Sequence, residues 1–493
     1  MNYLLALGAG VLSVGAFAPF RWWWLLLVAM GILFLLWEKA DRGRAFRLGL
    51  VFGLGQFGAG VYWVYVSIQS FGGMPPVLAG VCVFGLVFVL ALFPAISGWL
   101  QAWFGGAGQA VRLGFIIPVL WILSEWTRGW IFSGLPWLSA GYAFLDTPLA
   151  GLSPVGGVYL VGLIALATVG AVLGMIRQLS PAAFLAVLVP FSGWVAGWVL
   201  DGHAWSAPQG DRIEVAVIQN NVPLLEKWEE GNRDAIISEY LARSFEHLDK
   251  DLVVWPEGAV PDYLENLPPE FWSVLLGHPA DFAFGTLHQP PPGTAYYNTL
   301  VAVSDGIRLY NKQHLVPYGE YFPMQDLLHP ILKYLTIPMA DFSPWQSPQE
   351  PLPMAGHLAA ASICYEDAFP HEWRHQVPEA GFLINVSEDM WFGDTLAPHQ
   401  RLQMARFRAR EAERPMIRSS NNGLSSLINW RGRITEVAPQ FEKAVVTGSV
   451  QPRTGTTPFV RYGDLPAMIL AALMLLAGLL SRLFSLGYNP RSP

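Results

Sequence analysis

The chain is short of two things, cysteine and charge. Only 2 of its 493 residues are cysteine and only 14% are Asp, Glu, Lys or Arg, where an ordinary soluble domain carries roughly 25%. Two cysteines allow one disulfide at most. Cys82 lies inside an apolar run and Cys364 in the polar half, so they are not expected to pair, and a disulfide scaffold is excluded. Too few charges for water means that part of the chain belongs in lipid. The charge present has the wrong sign for nucleic acid: the formal net is −7, and no basic patch studded with aromatics occurs. Residues 210–455 also lack internal repeats and low-complexity stretches.

What the chain has in abundance is apolar sequence, 53% of all residues, and it is segregated. A helix needs about 20 apolar residues to cross a bilayer. That rule places about eight spans, at 3–20, 22–38, 48–70, 76–100, 112–130, 153–175, 181–200 and 465–485. No Lys or Arg precedes the first, and another span follows at once, so it reads as a span and not as a secretion signal. The fifth ends on Glu125 and Arg128, which are expected to pair with each other or to orient headgroups. The division is therefore a transmembrane bundle over 1–205, a soluble domain over 206–455, and a last span with its tail over 456–493.

Short loops rich in Lys and Arg stay in the cytoplasm. The loop after the second span holds Lys39, Arg42, Arg44 and Arg47; Arg112 and Arg177 follow at alternate loops, and Arg482 and Arg491 at the end. The other loops carry little beyond Arg21 and Arg128. Both termini are thus expected in the cytoplasm and the soluble domain on the opposite face. In a bacterium with two membranes that face is the periplasm.

The soluble domain alternates strands with helices. Arg212–Gln219, Asp251–Glu257, Ala283–Leu287, Phe382–Val386, Met416–Ser420, Leu424–Trp430 and Ala444–Val450 read as strands, and Asn298–Val303 with Ile307–Asn311 as a hairpin around Ser304-Asp305-Gly306. Asn232–Leu248 and Pro398–Arg414 read as helices. A layered α/β sandwich fits this order.

Ala360-Ala361-Ser362-Ile363 is a strand that stops at Cys364, with Tyr365 and Glu366 next. A free cysteine is usually a small buried hydrophobe. This one is also the only thiol of the polar half, at a strand end beside a carboxylate, where a nucleophile is well presented. Glu257 ends another strand and Lys312 ends the hairpin. A free thiol is only a few per cent thiolate at neutral pH, so it needs a base or a cation. Glu257 is placed to take the proton, and Lys312 to hold the thiolate and then an oxyanion. Each also has an ordinary reading, a turn cap for Glu257 and a solvated lysine for Lys312.

The sequence around these three residues resembles the nitrilase or carbon–nitrogen hydrolase superfamily. The matching stretches are Trp255-Pro256-Glu257, Tyr310-Asn311-Lys312-Gln313-His314-Leu315-Val316-Pro317-Tyr318-Gly319-Glu320-Tyr321 and Ile363-Cys364-Tyr365-Glu366. With spans on both sides, the chain as a whole resembles the membrane-bound apolipoprotein N-acyltransferase family. Glu125-Trp126-Thr127-Arg128, Gly134-Leu135-Pro136-Trp137, Trp391-Phe392-Gly393-Asp394 and Arg418-Ser419-Ser420-Asn421-Asn422-Gly423 add to the likeness. The resemblance implies a helical membrane bundle joined to an α-β-β-α sandwich, catalytic Glu257, Lys312 and Cys364, and no cofactor or metal. It implies ping-pong acyl transfer: a phospholipid donor such as phosphatidylethanolamine acylates Cys364, and the α-amine of a diacylglyceryl-cysteine at an apolipoprotein N-terminus takes the chain. It implies support from Glu320, Tyr365 and Glu366, lipid contacts at Trp228, Trp391 and Phe392, and an inner-membrane location. One departure stands out: Ser387-Glu388-Asp389-Met390 precedes Trp391 where the family has Asn-Asp, which leaves the hydrogen bonding of that loop open.

Four rival readings remain. His371-Glu372-Trp373-Arg374-His375 matches the zinc-protease pattern, but Pro370 and Pro378 leave only about two turns, so a solvated short helix is expected. His314 is a candidate partner for Cys364 in a papain-like pair. A membrane-tethered amidase of a small amide would share the triad without needing so many spans, and a transporter would leave the triad idle.

Overall fold

A computed structural model of the chain describes residues 1–177, 179–229, 231–291, 293, 295–321 and 341–487. Arg491 lies outside the described residues. The chain forms two compact units. One holds Met1–Tyr65, Val77–Ala204 and the chain from Arg461 onward; the other holds Val66–Pro76 and Trp205–Val460.

The first unit is helical: α1 (Asn2–Val14), α2 (Trp24–Glu38), α3 (Arg42–Gly60), α4 (Pro76–Ala102), α5 (Ile117–Arg128), α6 (Ser153–Arg177), α7 (Pro181–Asp201) and a last helix, Leu465–Gly487. The backbone of α3 sits so close to its neighbours that side chains are excluded. A Cβ on Gly55 would lie 2.3 Å from Leu7 O, and one on Gly53 2.6 Å from Ala91 Cα. Small residues at such crossings are how helices pack in lipid. Helical segments stand at each of the eight expected places, but they are not all long enough to span. Among the described residues five are long and apolar enough to cross a membrane: Pro76–Ala102, Gln109–Arg128, Pro148–Arg177, Ala183–Asp201 and Leu465–Leu483. A sixth counts if Arg42–Gly60 and Trp63–Phe71 are taken together. α1 and α2, of 13 and 15 residues, fall short of the length that hydropathy alone assigns to them.

Glu125 and Arg128 are both buried, and each binds the loop that follows α5. Glu125 accepts from Trp121 Nε1 at 2.7 Å and from Ala140 N at 3.0 and 3.1 Å. Arg128 Nη1 donates to the carbonyls of Leu135 and Trp137 at 2.6 and 2.5 Å. The loop charges also gather. Arg177 pairs with Glu38 at 3.0 Å, Arg112 donates to Glu38 O at 2.8 Å, and Gln109 binds the Glu38 carboxylate. Gly108 N donates to Ser481 Oγ at 3.3 Å. Arg21 and Asp146, from two of the other loops, approach to 3.9 Å.

The second unit is an α-β-β-α sandwich, the arrangement the resemblance implies. Its strands are β1 (Ser206–Pro208), β2 (Ile213–Gln219), β3 (Leu252–Val254), β4 (Asp281–His288), β5 (Tyr297–Val303), β6 (Ile307–Asn311), β7 (Leu352–Met354), β8 (His357–Ile363), β9 (Phe382–Ser387), β10 (Met416–Ser420), β11 (Ser426–Ile428), β12 (Ile434–Val437), β13 (Ala444–Val450) and β14 (Arg453–Gly455). They make one six-stranded sheet ordered β13-β2-β3-β4-β5-β6, another ordered β12-β11-β10-β9-β8-β7, and a β1–β14 pair. Strand periodicity splits the apolar residues into two sets. Val215, Val217, Val254 and Leu300 meet Ala361, Ile363, Ile384 and Ile417 between the sheets. Ile218, Trp255, Phe282 and Val301 point outward instead, against α8 (Arg233–Phe245) and α9 (Pro269–Leu276). On the other outer face Ala360, Leu383 and Met416 pack with Leu402, Ala405 and Ala409 of α10 (Ala397–Ala412). The parallel strands β2, β3 and β4 of one sheet and β8, β9 and β10 of the other end in the loops that carry the chemistry.

Candidate active site

β8 delivers Ile363 to the edge of the core, and the chain then turns sharply. Cys364 has φ +52°, a left-handed backbone that is rare for a residue with a Cβ and a mark of functional strain. It starts a short 3-10 turn, Cys364–Ala368. Glu366, fully buried, fixes that turn. Its Oε2 accepts from Ile363 N at 2.7 Å and Tyr310 Oη at 3.0 Å, and its Oε1 from Gln313 N at 2.6 Å and His314 N at 3.1 Å. The carboxylate two residues after Cys364 thus binds its turn to the segment carrying Lys312. Burial pushes Glu366 up to about 7, against the N–H of Ile363.

Glu257 follows β3, and Lys312 follows β6. Lys312 is wholly buried, its Nζ 2.7 Å from Glu320 Oε1 and 3.4 Å from Glu257 Oε1. Burial works to strip its proton, but the two carboxylates more than offset this, and Lys312 is held cationic. Asn298, from β5, donates to Glu257 Oε1 at 2.6 Å and to Glu320 Oε1 at 3.3 Å, so one amide aligns both acids. Glu320 Oε2 accepts from Val316 N at 2.8 Å, which anchors the loop.

Cys364 Sγ lies 3.4 Å from Arg401 Nη1 and also feels the charges of Glu257, Lys312 and Glu320. Burial pushes its thiol up to about 11, against the pull of Arg401 and Lys312. A thiol raised this far keeps its proton at neutral pH, so a nucleophilic role would need a base. Lys312 acts on the thiol in the sense expected of a cation beside a thiolate, though burial is the larger effect.

The three candidate lipid contacts occupy two places. Trp228 is half-buried, with Cζ2 3.7 Å from where a Cβ on Gly258 would stand, so it covers the residue after Glu257. Trp391 and Phe392 sit in the turn after β9, also half-buried. Trp391 meets Phe71 edge-on at 6.2 Å between ring centroids, because Val66–Pro76 folds with this unit. Tyr365 is buried, 4.8 Å from the ring of Phe369.

His314 has partners of its own. Its Nδ1 is 2.6 Å from Glu372 Oε1, and its ring stacks on Phe369 at 3.7 Å. The zinc-protease pattern likewise forms no shared helical face. Pro370–Trp373 is one helical turn, Arg374–Gln376 is 3-10, Glu372 is taken by His314, and His375 Nε2 lies 3.1 Å from Gln349 O.

The open question at Glu388 has a structural answer. Glu388 forms a buried ion pair with Lys227 and accepts from Asn421 Nδ2 at 3.0 Å, while its backbone N–H donates to Glu257 Oε2 at 2.8 Å. Sequence reading missed Asn298, Lys227 and Arg401, which have no neighbours in the chain to betray them. Arg401 had one signal: α10 also carries Arg406, Arg408 and Arg410, and all four are buried, where arginine is rare unless partnered.

Comparison with known proteins finds matches for both parts of the chain. Residues 9–172 match the apolipoprotein N-acyltransferase N-terminal domain, and residues 214–459 match carbon-nitrogen hydrolase. An apolipoprotein N-acyltransferase of Methylococcus capsulatus is 39% identical over 95% of this chain and 94% of its own length. One of Pseudomonas putida is 39% identical over 96% and 95%. Among solved structures, a carbon-nitrogen hydrolase from Helicobacter pylori G27 aligns with 54% of this chain and 94% of its own at 14% identity and a TM-score of 0.36.

Proposed function

The chain belongs to the apolipoprotein N-acyltransferase family, and from that premise we propose that it moves an acyl chain from a membrane phospholipid, through a thioester on Cys364, to the α-amine of the N-terminal diacylglyceryl-cysteine of apolipoproteins. The observation that carries the mechanism is the strained, buried Cys364 facing a carboxylate and a cation held by two acids.

Glu257 takes the proton from Sγ, and the sulfur attacks the ester carbonyl of the donor. Lys312 meets the developing oxyanion. The ester C–O bond breaks, and the glycerol oxygen leaves with the proton from Glu257. In the second half the acceptor amine attacks the thioester, Glu257 takes the amine proton, and the thiolate leaves and is reprotonated. Glu320 and Asn298 keep Lys312 and Glu257 aligned, and Glu366 keeps the nucleophile's turn in place. Trp228, Trp391 and Phe392 supply apolar surface for the acyl chain. Phosphatidylethanolamine is the proposed donor.

We also propose eight membrane segments, the short α1 and α2 included, with both termini in the cytoplasm and residues 206–455 in the periplasm as the catalytic domain. Supporting this, the basic residues of alternate loops, Arg112 and Arg177, converge on Glu38, and Ser481 meets Gly108. Arg21 and Asp146, from the other set of loops, meet each other.

Mass spectrometry after incubation with a phospholipid tests the proposal. An acyl group on Cys364, removed by hydroxylamine and transferred to a diacylglyceryl peptide, is the expected result. Discharge to water alone would favour an amidase or hydrolase, and no adduct on folded protein in the presence of lipid would overturn the covalent route.

A further inference from the structure

α10 runs behind the nucleophile, and the start of its second turn sends one arginine into the site. Arg401 is fully buried. Its Nη1 lies 3.4 Å from Cys364 Sγ, 2.6 Å from Ser387 Oγ and 2.6 Å from Asp389 Oδ1. Its Nη2 is 3.5 Å from both oxygens of Asp367. Arg418, from β10, binds the same two acids, Asp367 at 2.9 Å and Asp389 at 3.1 Å. Two arginines and two aspartates therefore balance one another in a dry place, and Arg401 is the member that also reaches the sulfur. Burial opposes ionisation of Asp389, but Arg418 and Arg401 outweigh it and hold its carboxyl below the usual range.

We propose that Arg401 is a catalytic residue in its own right, donating from Nη1 to Sγ and stabilising the thiolate each time the sulfur carries charge. The assignment deepens the acyl-transfer reading and rests on it for the identity of the reaction. Lys312 is committed to Glu257 and Glu320, and it serves the oxyanion on the substrate. Arg401 serves the sulfur. A guanidinium suits the position because its planar fork holds an acid and a second acceptor together and keeps its charge when buried. When Glu257 takes the thiol proton, the new negative charge forms against Arg401. When the S–acyl bond forms and the ester C–O bond breaks, the charge leaves the sulfur. It returns there when the thioester gives its acyl group to the amine, so one contact assists both halves.

The charges facing the sulfur are Glu257, Lys312, Glu320 and Arg401, with Asp367, Asp389 and Arg418 bound to the arginine. Of the cations in that set, Arg401 pulls the thiol down more strongly than Lys312.

The test is the rate at which iodoacetamide labels Cys364 in the full-length protein in detergent at pH 7.5, followed by mass of the Cys364 peptide. It needs no acyl donor, so its outcome is independent of whether the acyl-transfer reading holds. Raising a thiol by one pKa unit cuts its thiolate about ten-fold. The greater nucleophilicity of the more basic thiolate returns part of this, leaving a slowing of about three-fold. R401Q is expected to be slower than the parent by at least that factor. R408Q removes another buried arginine of α10, one paired with Glu411, and is expected to label at the parental rate. R401K carries the test if R401Q does not fold: its single ammonium, drawn to Asp389 and Ser387, leaves the sulfur, and labelling slows at least about two-fold. Parental rates in a folded R401Q or R401K, or equal slowing in R408Q, would overturn the proposal.

Discussion

The backbone N–H of Glu388 donates to Glu257 Oε2 at 2.8 Å. Glu257 follows β3 in one sheet and Glu388 follows β9 in the other, so the base of the proposed reaction is aimed by the main chain of the opposite sheet. The other oxygen of Glu257 is taken by Asn298 and Lys312. Proton transfer needs the base held to within a fraction of an ångström, and this site does it by binding the carboxylate from both sides of the sandwich.

The first prediction follows from that placement. E257Q keeps the shape of the side chain and loses the base, so acylation of Cys364 falls by roughly 10²–10⁴-fold. C364A gives no hydroxylamine-labile adduct at all. Both are read as acyl-enzyme formed per unit time by mass spectrometry, and an E257Q rate within a few-fold of the parent would remove Glu257 from the role of base.

Asn298 is the second. It donates to two acids at once, and hydrogen bonds to charged groups contribute roughly 1.5–3 kcal/mol. N298L should cut turnover about ten- to hundred-fold while leaving the apparent KM for the acceptor peptide near its parental value, since the amide touches the acids and not the acceptor. A change confined to KM would contradict this.

Lys227 and Glu388 form a buried pair beside Trp228. Removing one partner strands the other charge and costs about 3–5 kcal/mol, whereas replacing both with apolar residues is far milder. K227M and E388L are therefore each expected to lower the thermal midpoint substantially, and the double variant to recover most of the loss. Additive losses in the double variant would show that the two charges do not depend on each other.

Alkaline pH is expected to weaken the protein through the site itself. The Cys364 thiol is raised by burial from an ordinary 9.0 to about 11, and Lys312 is raised by Glu257 and Glu320 against its own burial. Both groups keep their protons in the folded chain at pH values where the unfolded chain has lost them. Stability is thus intact below about pH 9 and declines as pH rises through about 11. C364A removes one of the two contributions, so its thermal midpoint should fall less than the parent's between pH 8 and pH 10.5. Equal falls would contradict the raised thiol.

Trp391 and Phe71 meet edge-on, an arrangement that adds about 0.5–1.5 kcal/mol beyond area burial. W391A and F71A are expected to weaken use of the phospholipid donor by a few-fold to ten-fold, seen in acylation at low donor concentration and lost at saturation. Unchanged donor dependence in both variants would remove the pair from lipid binding.

Much of this was legible in the sequence because its signals are local. Apolar runs mark membrane helices, alternation marks strands, and Glu257, Lys312 and Cys364 each end one. The eight helical places were legible too, but hydropathy overstated α1 and α2, since turns and loop residues at their ends are as apolar as the helices. The zinc-protease pattern could be set aside on the sequence for a local reason too: its spacing assumes a continuous helix, which Pro370 and Pro378 cut short, and the segment changes to 3-10 winding at Arg374.

The amino-acid order alone thus determined where the apolar helices lie, most of the strands and which three residues stand close after strand ends, because these depend on neighbours within a few positions; the short strands β1, β7, β12 and β14 were not legible. Only the tertiary structure decided what surrounds them. Asn298 reaches Glu257 from 41 residues away, Arg401 reaches Cys364 from 37, and Lys227 reaches Glu388 from 161. Such polar partners have no periodicity to reveal them. They are selected by burial, where a charge must find a partner or be expelled, and that requirement exists only once the two sheets have closed on each other.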